Sequence, residues 1–298
     1  YKRVRGFQPL CMTWEGRLVD AVFRGGSTHG NHESAAIEMV RHVVRAIRKG
    51  YRAEVPIIVR LDAGFYDQKI YEALEDLGVG YTATGKFYED IKTYLGEMDL
   101  TSFSRYDNGK QTWDFVEFVD KRKHWRRYRR VIYLRPEGEG EQRLLEFARP
   151  ETLVYTNIGR GEGIDAQLRA AGYEELMRAE KLIEVHHHRG DDELVFRAFK
   201  EFGHEELPFK RFNMNAAYFY TMVLSFALLE AFKHDVGKVV VPVTCYATRI
   251  RRTLIDIAAK IVRHGGKIIL KVTQSTAEQI KMHELWRLSG CPPRFTWS

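Results

Sequence analysis

The chain has 298 residues, 44% hydrophobic and 29% charged, with a formal net charge of +7. That length and balance support a sizeable core and exclude a disordered or low-complexity protein, while the basic excess suits an acidic partner. Three scattered cysteines, Cys11, Cys245 and Cys291, form no CxxC pair, which argues against a disulfide framework or zinc module and fits a reducing, cytoplasmic setting.

Residues 7–23 read as a hairpin: "FQPLCMTW", the turn "EGR", then "LVDAVF". A glycine-rich turn follows, and Ile37, Val40, Val43, Val44 and Ile47 carry the 3.6-residue period of a helix ending at Gly50. Asn31 and Ser34 suit its start. The run "VPIIVRLDAGF" (55–65) predicts a buried strand ending at Asp62, "DQKIYEALEDLGVG" a helix, and "YTATG" another strand. Strand, helix, strand implies an α/β sheet. The stretch 87–150 is richer in alternating aromatic and β-branched residues and reads as a β-rich insertion. "TLVYTNIG" (152–159) restores the buried-strand pattern, and helices follow to about 235. Within these, "AAYFYTMVLSFALLEAF" (216–232) is too soon interrupted by Glu230 to span a bilayer and predicts a buried core helix. The tail "RIRRTLIDIAAKIVRHGGKIILK" (249–271) reads as a basic helix, a glycine pair and a strand-like segment. The expected organisation is a core in two parts (1–86 and 151–235), the insertion (87–150) and the basic C-terminal region (236–298).

Two features suggest chemistry. Taking Glu193 as origin, His186, Arg189, Arg197 and Lys200 project within roughly 40° of one line along a helix. Val195, Ala198, Phe199 and Phe202 cluster opposite. The pattern displays a carboxylate among cations over an apolar anchor, although an ordinary surface helix with i,i+4 pairs has the same appearance. Asp62, at the C-terminal end of a buried strand, sits where α/β sheets place their sites, or is simply a turn residue before glycine. Together the two carboxylates suit a divalent cation such as Mg²⁺.

"KRKHWRRYRRVIYLR" (121–135) has eight Lys/Arg and no acid. Its arginines Arg126, Arg127, Arg129 and Arg130, interleaved with aromatics, suit phosphate contact and base stacking, or the protection of a sheet edge. The basic run 249–271 has seven Lys/Arg against Asp256 alone and suits either a duplex or a plain amphipathic surface. His29-x2-His32 and His186-His187-His188 lack a second ligand pair at finger spacing. "GRGEGIDAQ" (159–167) lacks the endings of a nucleotide loop, so ATP is not implied.

The combination of "VRLDAGFY" with Arg189-x3-Glu193-x6-Lys200 resembles the DDE transposases of bacterial insertion sequences, in particular the cut-and-paste group with a Tyr-x2-Arg-x3-Glu-x6-Lys signature. The resemblance extends over nearly the whole chain, through "YTNIG", "ELPFKRFNMNAAYFY" and "ATRIRRTLIDIAAKIVRHGGKIILK". It implies an RNase H-like (retroviral-integrase) fold, a mixed sheet with flanking helices interrupted by a β-rich insertion. The 130 residues between Asp62 and Glu193 leave room for that insertion. It further implies that Asp62 and Glu193 are the second and third carboxylates of the triad, with two Mg²⁺ or Mn²⁺ ions. Arg189 and Lys200 would grip phosphates, with His186 standing where the family commonly has Tyr. Double-stranded DNA would be the partner and a homodimer the assembly on it. The family's first Asp precedes the segment matching "YKRVRGFQPL", so the chain is expected to be an N-terminally truncated transposase. The alternatives are an inactive or domesticated derivative that binds DNA without cutting it, and a general basic nucleic-acid-binding protein.

Overall fold

The computed structural model describes residues 6–26, 32–136, 151–161, 163–203 and 206–290. Two compact units emerge, one of Tyr1–Ser27 with Asp191–Ser298 and the other of Thr28–Gly190. The expected cap Asn31 and positions 137–150 of the expected insertion lie outside the described residues.

The unit of residues 28–190 opens with helix α1 (His32–Gly50). Strand β3 (Ile58–Leu61), helix α2 (Gln68–Asp76) and strand β4 (Gly80–Thr84) form a right-order parallel pair, with α1 packed on α2. (Strands β1 and β2, Leu10–Trp14 and Arg17–Val22, belong to the other unit.) Asp67 caps α2, accepting from the Lys69 amide at 2.7 Å. At the far end of α2, Arg48 of α1 donates to the carbonyls of Leu77 (2.7 Å) and Gly78 (3.3 Å), satisfying helix-end acceptors.

Helix α3 (Glu89–Gly96) leads to β5 (Ser104–Asp107), β6 (Thr112–Asp120), β7 (Arg129–Pro136) and β8 (Thr152–Thr156). All join one six-stranded sheet in the order β3-β4-β8-β7-β6-β5, parallel only between β3 and β4. The strands of 104–136 therefore extend the sheet. β7 and β8 carry enough apolar surface on both faces to sit in the sheet interior, with Val131, Ile132, Leu153, Val154 and Tyr155 fully buried. Asn157 pins β8 to β4: its Nδ2 donates to Val79 O and its Oδ1 accepts from Tyr81 N, both at 3.0 Å. One sheet face packs against α4 (Gly163–Ala170) and α5 (Ala179–His187) through Ile164, Leu168, Leu182 and Ile183. The result is a mixed α/β sheet with flanking helices, compatible with an RNase H-like fold. The glycine loop before α4 turns its amides inward: Gly159 and Gly161, both at positive φ, donate to the buried Asp165 carboxylate at 2.8 and 2.6 Å.

In the other unit, β1 and β2 pair antiparallel around Glu15 and Gly16, whose positive φ values match the twist of a tight hairpin. The hairpin packs through Ala21 and Phe23 on Phe199, Phe219 and Phe226 of α6 (Arg189–Gly203) and α7 (Phe212–Asp235). Helix α7 was expected to be a core helix. It buries only Asn215, Phe219, Phe226 and Lys233, while Leu224 and Leu228 are 67% and 72% exposed. The reason is that α7 is apolar all round, and only one face meets the phenylalanine cluster.

Beyond α8 (Ala247–Ile250), which continues through a wider turn to Ile255, the expected basic helix stops. Strands β9 (Ala259–His264) and β10 (Lys267–Val272) form a hairpin across Gly265 and Gly266, both at positive φ. Paired positive φ values with β-branched flanks favour a hairpin over a helix. Helices α9 (Gln274–Gln279) and α10 (Met282–Ser289) follow.

Candidate catalytic site

Asp62 follows the last residue of β3 and caps a short 3₁₀ turn, Ala63–Phe65. Its exposed carboxylate accepts from the Gly64 amide through Oδ1 at 2.8 Å. The approach is close: a Cβ on Gly64 would lie 3.0 Å from that oxygen. Oδ2 has no partner among the described residues, so one oxygen orients the group and the other is available for a ligand. The turn is held down by Tyr66, which packs against Tyr71, Trp125 and Tyr155 at centroid distances of 5.9, 5.6 and 5.1 Å. Burial pushes the Tyr66 hydroxyl pKa up to about 12. The Tyr155 hydroxyl donates to Asp120 at 2.7 Å, and Asp120 pairs with Arg122. This aromatic anchor, spread over residues 66–155, is legible only as scattered aromatics in the sequence.

Glu193, Arg197 and Lys200 share the exposed face of α6, with Val195 and Phe199 buried opposite. Glu193 and Arg197 form no ion pair among the described residues, so the i,i+4 spacing does not serve the ordinary helix-surface salt bridge here. The side chain of Arg189 lies outside the described residues. Glu193 belongs to the unit of 1–27 and 191–298, and Asp62 to that of 28–190.

His186 is the residue expected in the family's Tyr position, among the phosphate contacts. It lies on α5, which ends before His188, so the helical line drawn through Glu193 does not continue to it. Its ring is buried against the sheet, 3.2 Å from Thr84 Oγ1 and 3.3 Å from Thr82 Oγ1.

The four arginines of the basic strand separate into two kinds. Arg126 and Arg127, in the β6–β7 connection, are exposed, and Arg126 only approaches Glu72 at 3.7 Å. Arg129 and Arg130, the other two expected DNA contacts, have partners within the protein. Arg129 is 1% exposed; its Nε donates to Glu75 and to the Tyr81 hydroxyl, each at 3.0 Å. Its guanidinium sits 4.6 Å from the Trp125 ring centroid and 5.1 Å from that of Tyr71. Burial disfavours its charge, but Tyr81 and Glu75 outweigh that and hold its pKa above the ordinary value. Arg130 donates to the carbonyls of Ile158 (3.1 Å) and Met177 (2.7 Å) and pairs with Glu117. A central strand buried on both faces can keep such cations only by pairing them internally.

Asp62 and Glu193, each in its own unit, are exposed carboxylates free of ion pairs among the described residues, and carboxylate oxygens are hard donors of the kind Mg²⁺ or Mn²⁺ takes. No three His, Cys, Asp or Glu side chains among the described residues group as a metal site on their own. Residues 1–291 match the family model described as transposase DDE domain group 1. No curated protein matches the chain.

Proposed function

The chain belongs to the group 1 DDE-domain transposases, and on that premise we propose that it cleaves DNA at the terminal inverted repeats of an insertion sequence and joins the freed end to a target. The observation that carries the reading is the family match over residues 1–291, together with two exposed carboxylates that have no cationic partner among the described residues. Asp62 and Glu193 would each supply carboxylate oxygens to divalent cations, two in all. When bound, such a cation lowers the pKa of water and stabilises charge on a phosphoryl oxygen.

The residues of the chain divide the remaining work. The Gly64 amide holds one Asp62 oxygen and so aims the other. Arg197 and Lys200, on the Glu193 face of α6, neutralise phosphate charge beside the scissile bond. Arg189 does the same from the first turn of that helix. Arg126 and Arg127 contact the backbone of the duplex away from the reaction, contributing affinity without base specificity. Pairing of two transposon ends brings two copies of the chain together on DNA.

The test uses the purified protein, a supercoiled plasmid carrying the terminal repeats, and Mg²⁺. Nicking and end joining should occur, and Asp62→Ala and Glu193→Ala should each abolish both while DNA binding persists. DNA binding with no nicking in the unaltered protein would indicate an inactive derivative. Nicking that survives both substitutions would remove the assignment of the carboxylates.

A further inference from the structure

A pocket of about 630 Å³ opens between the end of α6 and the segment 244–253, lined by Glu201, Thr244, Tyr246, Thr248, Arg249 and Arg252 among others. All of these residues belong to one compact unit. The size falls in the range of small-ligand sites. Its chemistry has two poles. Arg249 and Arg252 stand one turn apart, exposed, and have no ion-pair partner among the described residues, whereas the intervening Arg251 pairs with Asp256 at 3.2 Å. Two adjacent unpaired guanidinium groups at a pocket wall suit a phosphate.

The opposite pole is Glu201. Its Oε1 accepts from the Thr248 hydroxyl and, at 3.3 Å, from the Thr248 amide. Its Oε2 is buried and has no hydrogen-bond partner among the described residues, and a turn of the side chain would bring it to the pocket. A buried carboxylate oxygen without a donor is costly, and a ligand N–H would satisfy it. The floor is fixed: the buried Lys233 donates to Glu230 at 2.7 Å and to Cys245 O at 3.0 Å, holding the segment that carries Tyr246. Inorganic phosphate alone would answer the arginines but leave Oε2 bare and face its charge. A nucleotide answers both poles, with phosphate on the arginines, a base N–H on Glu201 and an aromatic face at Tyr246.

We propose that this pocket binds a mononucleotide unit, its phosphate held by Arg249 and Arg252 and an N–H of its base donated to Glu201 Oε2. This goes beyond the cleavage chemistry proposed above. The unit is either a free nucleoside monophosphate or one unpaired nucleotide of a strand. Calorimetric titration of the full chain with dAMP, deoxyadenosine, inorganic phosphate and a short single-stranded oligodeoxyadenylate tests it. dAMP should bind at least about tenfold more tightly than deoxyadenosine or phosphate, the scale of losing one charge-assisted hydrogen bond. The double variant R249A/R252A should weaken dAMP by a similar factor. E201Q should weaken dAMP without weakening phosphate. Displacement of dAMP by the oligonucleotide identifies a strand as the source, and its failure to compete identifies the free nucleotide. dAMP binding no tighter than phosphate, or unaltered in R249A/R252A, overturns the proposal. Circular dichroism checks that the variants fold. Neither terminal repeats nor a metal ion enters this titration, so its failure leaves the cleavage reading standing, and the reverse holds too.

Discussion

Truncating Arg129 to alanine removes the cation bonded to Glu75 among the described residues, in a side-chain environment that is 1% exposed at the arginine and 5% at the glutamate. Breaking a buried pair by removing one partner costs about 3–5 kcal/mol, because the remaining charge stays buried. Lost attraction to the Trp125 and Tyr71 rings adds to this, while relief of the unbonded Arg129 Nη1 subtracts a comparable amount. The lower end, about 3 kcal/mol, is therefore expected. With a denaturant slope of about 2 kcal/mol/M, the urea midpoint should fall by about 1.5 M. Near-ultraviolet circular dichroism of the Tyr71–Tyr81–Trp125 cluster follows this unit directly. The double variant Glu75→Gln/Arg129→Met should recover more than half the loss, since a neutral packed pair needs no compensation. An R129A protein with the parental midpoint and a flattened salt dependence of DNA affinity would refute the reasoning and return Arg129 to the DNA surface.

Three further outcomes follow from the same geometry. Charge reversal of Arg126 and Arg127 should reduce the slope of log affinity against log salt by about 2, roughly 0.9 per phosphate contact, in duplex-binding titrations. An unchanged slope would make both ordinary surface charges. Gly64→Ala should push the Asp62 carboxylate aside, since its Cβ would meet Oδ1 at 3.0 Å, and slow Mg²⁺-dependent nicking by about tenfold to a hundredfold with the melting temperature retained. Full activity would show that Oδ1 need not be held there. Burial, and then the neighbouring His188, hold the His187 pKa below its ordinary 6.5. As pH falls below 6.5 the unfolded chain takes up the proton first, so stability of the unit 28–190 should decline from there until the folded-state pKa is passed. His187→Phe should flatten that decline in pH-dependent melts, and an identical decline in the variant would assign it to other groups.

What the sequence made legible is local. The β1–β2 turn, the β3–α2–β4 unit, Asp62 at a strand end and the apolar side of α6 follow from period, cap and turn chemistry acting within about ten residues. The features beyond the reach of the sequence depend on distant partners. Nothing near Arg129 in the chain announces Glu75, and the same basic run reads equally as surface or as an internally paired central strand. His186 was placed by extending a helix through His188, where α5 ends; a wheel has no term for such a break. The exposed side of α7 reflects how little surface the phenylalanine cluster offers, a tertiary quantity. The β9–β10 hairpin was available in principle, because Gly265-Gly266 between β-branched runs is a hairpin signal that outweighs the helical spacing of the preceding residues.

Iron-mediated cleavage of the polypeptide offers the most direct measurement of shared metal ligation. With Fe²⁺ replacing Mg²⁺ on the DNA-bound protein, hydroxyl radicals should cut the chain next to residue 62 and next to residue 193. Either Asp62→Ala or Glu193→Ala alone should erase both cuts. A pattern in which each substitution removes only its own cut, or in which one position is never cut, would contradict joint ligation by these two carboxylates.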